Sequence, residues 1–348
     1  MTEKPQTVLF PTYRIARDWL FCPSTYLVDS FEPFVEEIYL PSVATKAGEL
    51  LLSYEEQGET LFQPSSFVAK IKSRYRKNKS VLVDSVALDL RQHYPGNIAH
   101  AIMIHLPLAL WAREYLLKIG QSNPILIFPA SLPKYIGDMF IEIGFEIVLT
   151  NDKVSGKLCN YNLDLLIGIR GEIPSIIKSG LEDSEFSKKL LQRSIDLPKK
   201  LFISRRDTRR LSNETEVEKF LKIRGFQKIY MEDYSILDQL ALVSLADSIV
   251  AIHGAALGSL ILRSMFNKKP LEFVEIFSPA HMTNVYRIIT HQVGGKWVGV
   301  RGRLWPKLVM QAYECEMEKV RQYTFVDFEV CLLSLEKAME SICTEHCN

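Results

Sequence analysis

From residue 80 onward, short runs rich in β-branched and aliphatic residues alternate with stretches of helical periodicity, and this alternation stops once and then starts again. A chain patterned this way buries its apolar runs as strands of a largely parallel sheet, with the intervening helices covering the faces. The expected class is therefore α/β. In the first series strands are expected at residues 81–87, 124–128, 145–150 and 163–169, with helices at 98–119 and 132–143. Gly120 and Gly144 stand where those helices should end, since glycine takes the left-handed turn that closes a helix. Residues 171–198 have another texture, charged and helix-forming, with an amphipathic stretch at 182–193 and the breaker Asp196-Leu197-Pro198.

The alternation restarts with strands expected at 201–204, 227–231, 248–252 and 271–276, and helices at 214–224, 236–245 and 256–263. Asn213 with Glu216 reads as a capping-box start, Gly225 as a helix end, and Ser235 as a cap with Asp238 in the first turn. The 348 residues, 47% of them hydrophobic, suffice for two cores. The expectation is two Rossmann-like domains facing a cleft, residues 1–196 and 197–312, followed by a helical tail, 313–348, able to cross back to the first domain.

Lysine and arginine number 42 against 41 acids, so no global field gathers nucleic acid or anionic lipid, and any anion site must be local. The six cysteines lack metal or redox spacing and are expected to be reduced thiols. The first thirty residues hold no continuous apolar stretch of the kind a secretory signal needs, so a cytoplasmic protein is expected, with peripheral attachment at the inner face of a membrane left open. The most apolar run, residues 101–112, is too short to span a bilayer and contains His105 and Pro107, so it is expected to be a buried helix. The basic stretch 70–79 reads as a solvated face, or else as an acceptor or membrane-surface patch.

Candidate chemistry gathers where strands end. Ser204-Arg205-Arg206-Asp207-Thr208-Arg209-Arg210 follows the first strand of the second series. Open α/β sheets bind ligands beyond the carboxyl ends of their strands, and forked guanidinium donors there suit phosphate oxygens. Arg205 and Arg206 are the expected pair; the alternative is a surface cluster paired with acids such as Asp207 and Glu214. His253-Gly254-Ala255-Ala256 lies between a strand and a helix, where small residues and free N–H groups favour an anion; a tight turn with no ligand is the other reading. Glu275, near the end of the last strand, could accept from ribose hydroxyls or merely alternate with Glu272 toward solvent. In the first domain Asn97-Ile98-Ala99-His100 opens the long helix, and His100 is the candidate general base, set against a histidine that only packs or caps. The chain has no GxGxxG, GxxxxGK[ST], HExxH or Asp-x-Asp, so Arg side chains and helix N–H groups would have to neutralise a diphosphate without a divalent ion.

The ordered set Ile203 to Arg206, Arg209-Arg210, Asn213-Glu214, Gly225-Phe226, Glu232, Gln239 and His253 to Ala255 closely resembles the central block of glycosyltransferase family 61. Asn97-Ile98-Ala99-His100 with Leu106-Pro107, and Val274-Glu275-Ile276-Phe277, are fainter echoes of it. The resemblance covers about residues 95–300. It implies an inverting, metal-independent transferase of the two-domain B type that takes a UDP-sugar such as UDP-GlcNAc, UDP-xylose or UDP-arabinose. Plant xylan-decorating enzymes, the EGF-domain O-GlcNAc transferase and bacterial capsule or lipopolysaccharide enzymes belong to that family. Ser204, Arg205, Arg206, Asn213, Glu232, His253, Gly254, Ala255, Ala256 and Glu275 would then bind the donor, with Asn97 on the acceptor side and His100 as base. The chain departs from the family's pattern in lacking aromatic residues directly after His100, where the family often has Trp. The expected partners are a nucleotide-sugar donor and a carbohydrate or glycolipid acceptor. A catalytically inactive nucleotide-sugar-binding scaffold, or an epimerase or hydrolase on the same fold, are the alternatives.

Overall fold

The computed structural model describes residues 26–28, 52–61, 80–162, 173–266, 269–281, 283, 285–303, 305–314, 319 and 322–342. These divide into two compact units, one from residues 36–189 with 264–266, the other from residues 1–35, 190–263 and 267–348. Strand β1 (Tyr26–Val28) falls in the second unit, not in the first domain as expected. The expected strand at 163–169, the basic stretch 70–79 and Cys22, Cys315, Cys343 and Cys347 lie outside the described residues. Cys159 and Cys331 are free thiols. Among the described residues no helix is long and apolar enough to cross a membrane.

The first unit is built on β2 (Leu52–Thr60), β3 (Ser80–Asp89), β4 (Ile125–Phe128), β5 (Ile147–Leu149) and β6 (Lys153–Tyr161), in the order β2-β6-β3-β4-β5. The β3, β4, β5 and β6 pairings are parallel and β2 joins antiparallel at the edge. Val83, Ala87, Ile127, Val154 and Leu158 form the core of this sheet. Neither β2 nor β6 was expected, because their charged, half-exposed sequences carry no continuous apolar run.

The helix expected at 98–119 is present but interrupted. Ile98–His100 is α-helical, Ala101–His105 is a π turn and Leu106–Lys118 resumes the α-helix. Pro107 stands just past the wide turn. A proline cannot donate to the carbonyl four residues back and its ring crowds that group, so widening the preceding turn relieves the clash.

The second unit holds β7 (Lys200–Ser204), β8 (Gln227–Tyr230), β9 (Ser248–Ile252), β10 (Glu272–Phe277) and β11 (Lys296–Arg301). The sheet runs β1-β11-β10-β9-β7-β8, parallel throughout except for β1. Val250 and Ile252, Val274 and Ile276, and Val298 and Val300 repeat at a spacing of two and share one core with Phe202, Phe328 and Leu335. Glu275, between Val274 and Ile276, therefore points to the opposite face, with Phe273 and Phe277. The residues after β9 form a 3₁₀ helix, Ala255–Met265, instead of the expected α-helix.

The described part of the tail packs on this second sheet. Leu211 bridges Phe328, Ser212 N donates to Phe328 O at 2.7 Å, and the helix Leu332–Ile342 lies against β1, β10 and β11. Its apolar residues complete the core that the strands of β7 to β11 leave open on that face.

Candidate functional site

The arginine cluster after β7 divides by direction. Arg206 turns outward, its guanidinium forked onto Asp233 at 2.5 and 2.6 Å, 3.6 Å from Glu232 and 4.0 Å above the Tyr230 ring. Arg210 pairs with Asp327 through Nη2 at 2.5 Å. Arg205 and Arg209 turn inward. Arg205 Nε donates to Thr208 O at 2.9 Å and Nη1 to the main-chain carbonyl of His253 at 3.2 Å. Arg209, held at a φ of 61° and anchored by its N–H on Phe325 O at 3.2 Å, places its guanidinium 5.5 Å from the Phe325 ring. Its buried Nε has no hydrogen-bond partner among the described residues.

Two half-buried cations close together work against each other. Burial pushes Arg209 down to about 10, with Arg205 adding to the fall and Tyr286 opposing it. Burial likewise lowers Arg205, against the pull of Asp207, Glu232 and Tyr286. Such a pair gains most when an anion arrives, because charge-assisted bonds to phosphate replace a repulsion.

His253 sits beside them at the end of β9. Its ring stacks on Phe277 at 5.5 Å and is flanked by His281 at 5.1 Å and Tyr286 at 5.3 Å. Its Nδ1 lies 2.5 Å from Glu275 Oε1, and Glu275 Oε2 accepts from Trp297 Nε1 at 2.9 Å. Glu275 is 0% exposed and the His253 side chain 12%. Burial pushes Glu275 well above the usual carboxylate range, against the Trp297 bond. Burial, then Arg209 and Arg205, pushes His253 down to about 3, and burial with His253 and Arg209 brings His281 to about 4. Both shifts favour the uncharged form of each partner.

Glycine makes two of these approaches possible. A Cβ on Gly254 would run into Arg205 Nη1, and one on Gly299, which pairs with Glu275 across β10 and β11, would come within 2.7 Å of the Trp297 ring. Side chains there would displace the guanidinium from the turn and the indole from the acid.

Several expected contacts are committed elsewhere. Glu275 cannot meet ribose hydroxyls, since it is fully buried and both oxygens are taken. Ser204 is buried and its hydroxyl donates to Glu214, which Tyr230 also approaches. Asn213 does not cap the helix Glu214–Lys222; its amide clasps the Val330 main chain, donating to O at 2.9 Å and accepting from N at 3.2 Å. Glu232 is exposed beside Arg206. Ala255 and Ala256 open the 3₁₀ helix and are half-buried. Ser235 does cap its helix, accepting from Asp238 N at 3.3 Å. Arg209, His281 and Tyr286 were not singled out: Arg209 stood in the basic cluster without distinction, and His281 and Tyr286 have no motif around them.

In the first unit Asn97 accepts from Ala99 N at 2.9 Å and so caps the helix start. His100, half-buried at the edge of the π turn, meets the Tyr94 ring edge-on at 5.8 Å. His93 and Tyr94 hold left-handed backbone, at φ 61° and 57°. Among the described residues no three His, Cys, Asp or Glu side chains converge as a metal would need.

A family model described as Glycosyltransferase 61 matches residues 34–269, taking in Asn97, His100, the arginine cluster and the His253 turn but stopping short of Glu275, His281 and Trp297. No curated protein matches the chain.

Proposed function

The chain belongs to glycosyltransferase family 61, and from that premise we propose that it moves a sugar from a UDP-sugar to a carbohydrate or glycolipid acceptor, with inversion at the anomeric carbon. The observation that carries the donor half of this reading is the inward pair Arg205 and Arg209 beside His253, at the carboxyl ends of β7 and β9. A nucleoside diphosphate is the anion whose paired phosphates match two forked donors, and it needs no divalent ion when guanidinium groups supply the charge.

In this reading the acceptor hydroxyl attacks the anomeric carbon as the bond to the β-phosphate breaks, and charge growing on the phosphate is met by Arg205 and Arg209. The base we assign is His100, because a half-buried imidazole can take a hydroxyl proton. The fold proposed with it is the B type, and the setting is capsular or lipopolysaccharide assembly on the cytoplasmic side.

The test is a panel of nucleoside diphosphates and nucleotide sugars scored by thermal shift, followed by UDP release with and without acceptors. A ligand that binds only the native state raises its melting temperature. Stabilisation by UDP and acceptor-dependent release are expected. Failure of every nucleoside diphosphate to stabilise the protein would discard the reading, and release that ignores acceptor would replace it with hydrolysis.

A further inference from the structure

Glu275 is a carboxylic acid sealed on the face of β10 away from the apolar core, and its two oxygens meet one hydrogen-bond donor, Trp297, and one imidazole, His253. An ionised carboxylate against an imidazolium in so enclosed a place loses the hydration of two charges. The groups facing His253 decide where the proton between them rests. Arg205 and Arg209 come from the loop after β7, His281 from the segment after β10, Tyr286 from the helix Val285–Gln292, and Glu275 from β10. Two of these are fixed cations and both disfavour an imidazolium. Placing the proton on Glu275, with its O–H donating to Nδ1 across the 2.5 Å contact, leaves neither buried group charged. A neutral imidazole that accepts at Nδ1 carries its own hydrogen on Nε2, and Nε2 is the ring nitrogen left to meet a ligand.

We propose that Glu275 is a positioning residue that fixes His253 as a proton donor, so that Nε2–H points at the phosphate oxygen that leaves when the glycosidic bond of the donor breaks. This rests on the transferase reading above and adds to it a route for the leaving group's proton. As the acceptor oxygen forms its bond to the anomeric carbon, the bonding pair of the departing C–O bond passes to the β-phosphate oxygen. That oxygen takes the hydrogen from Nε2, and the Glu275 proton crosses to Nδ1. The imidazole ends neutral, the carboxylate is left on the Trp297 N–H, and the acceptor's proton goes to the general base. Release of the nucleotide, with a proton from water taken up at Nε2 while the Nδ1 hydrogen returns to the buried Glu275, restores the starting state. Gly299 belongs to the device, because only an absent side chain there lets the Trp297 indole lie where it reaches the acid.

The decisive measurement needs no donor. In ¹⁵N spectra of the histidine-labelled full chain, His253, assigned by its loss in His253→Gln, is expected as the Nε2–H tautomer with an unprotonated Nδ1 at neutral pH. Finding the hydrogen on Nδ1 would overturn the inference, since Glu275 would then be ionised and His253 a base. Glu275→Gln keeps both hydrogen bonds, the amide donating to Nδ1 and accepting from Trp297, but has no mobile proton. With UDP-GlcNAc, UDP-xylose or UDP-arabinose as donor, its kcat is expected to fall about a hundredfold with KM and UDP affinity unchanged. The alkaline limb of the wild-type kcat profile, where the pair loses its proton, should vanish. An unchanged kcat and profile in Glu275→Gln would also overturn the proposal, whereas a wild-type chain that binds UDP yet releases it from no donor would overturn the transferase reading and leave the tautomer result standing.

Discussion

Arg205 Nη1 donates to the main-chain carbonyl of His253 at 3.2 Å, tying the end of β7 to the end of β9 across 48 positions of sequence. The bond depends on a missing side chain, for a Cβ on Gly254 would occupy the place of that nitrogen. The obstacle is the far end of a flexible arginine, so the backbone need not move. Gly254→Ala should therefore fold with a stability within about 0.5 kcal/mol of wild type while displacing Arg205. UDP affinity, read by titration calorimetry, should drop about tenfold. Unchanged affinity would show that this contact does not set the anion site.

Arg209→Ala and Arg206→Ala should separate the inward from the outward arginine. Arg209 is half-buried with Nε unpartnered among the described residues, and a lost charge-assisted bond to phosphate costs about 1.5–3 kcal/mol. Arg206 spends its fork on Asp233, an exposed pair worth little. UDP dissociation constants are expected to rise about 10- to 100-fold in the first variant and stay within about twofold in the second. The reverse order would restore Arg206 as the phosphate ligand.

The two series of strands and helices were legible because their periodicities are set by burial, and β9 falls on the expected residues 248–252. What was lost lacked a local signature. β6 and β2 pair by hydrogen bonds that charged residues can make as well as apolar ones, and β11 follows a glycine pair that reads as a turn with nothing beyond. The π turn needed Pro107 to be weighed against helical neighbours on both sides. Within the site, proximity in sequence chose Arg205 and Arg206 together, but consecutive residues leaving a strand point apart, and the residue four on returns beside the first. Glu275 was recognisable as a strand-end acid, but its burial depends on Gly299 and Trp297 from another strand.

Acid should weaken the fold through histidines kept neutral inside it. His105 is fully buried, and burial brings it from 6.5 to about 3. Its folded pKa lies below the unfolded one, so the unfolded chain binds the extra proton and stability falls as pH drops from about 6.5 toward 3. Each unit costs about 1.4 kcal/mol for one such group. His253 and His281 act in the same direction, whereas Glu275, raised, acts oppositely above its unfolded value. Comparing wild type with His105→Leu cancels those contributions. The urea midpoint of the variant should fall less steeply between pH 6.5 and 4.5, and parallel curves would mean His105 is not held neutral.

Asn213 distinguishes a clasp from a ligand contact. Its carboxamide bonds both the N–H and the carbonyl of Val330, holding the loop before the helix Glu214–Lys222 to the tail segment beside Phe328. Val330 is 1% exposed, so those main-chain groups have no water to turn to. Removing the amide leaves them unsatisfied at a cost of about 1–3 kcal/mol. Asn213→Ala should therefore lower the urea midpoint clearly yet bind UDP with the wild-type dissociation constant at a temperature where it is folded. Asn213→Asp, which keeps an acceptor for Val330 N but loses the donor to its carbonyl, should fall between the two in stability. If either variant lost UDP affinity while its melting temperature held, the side chain would belong to the donor site and the clasp would be incidental.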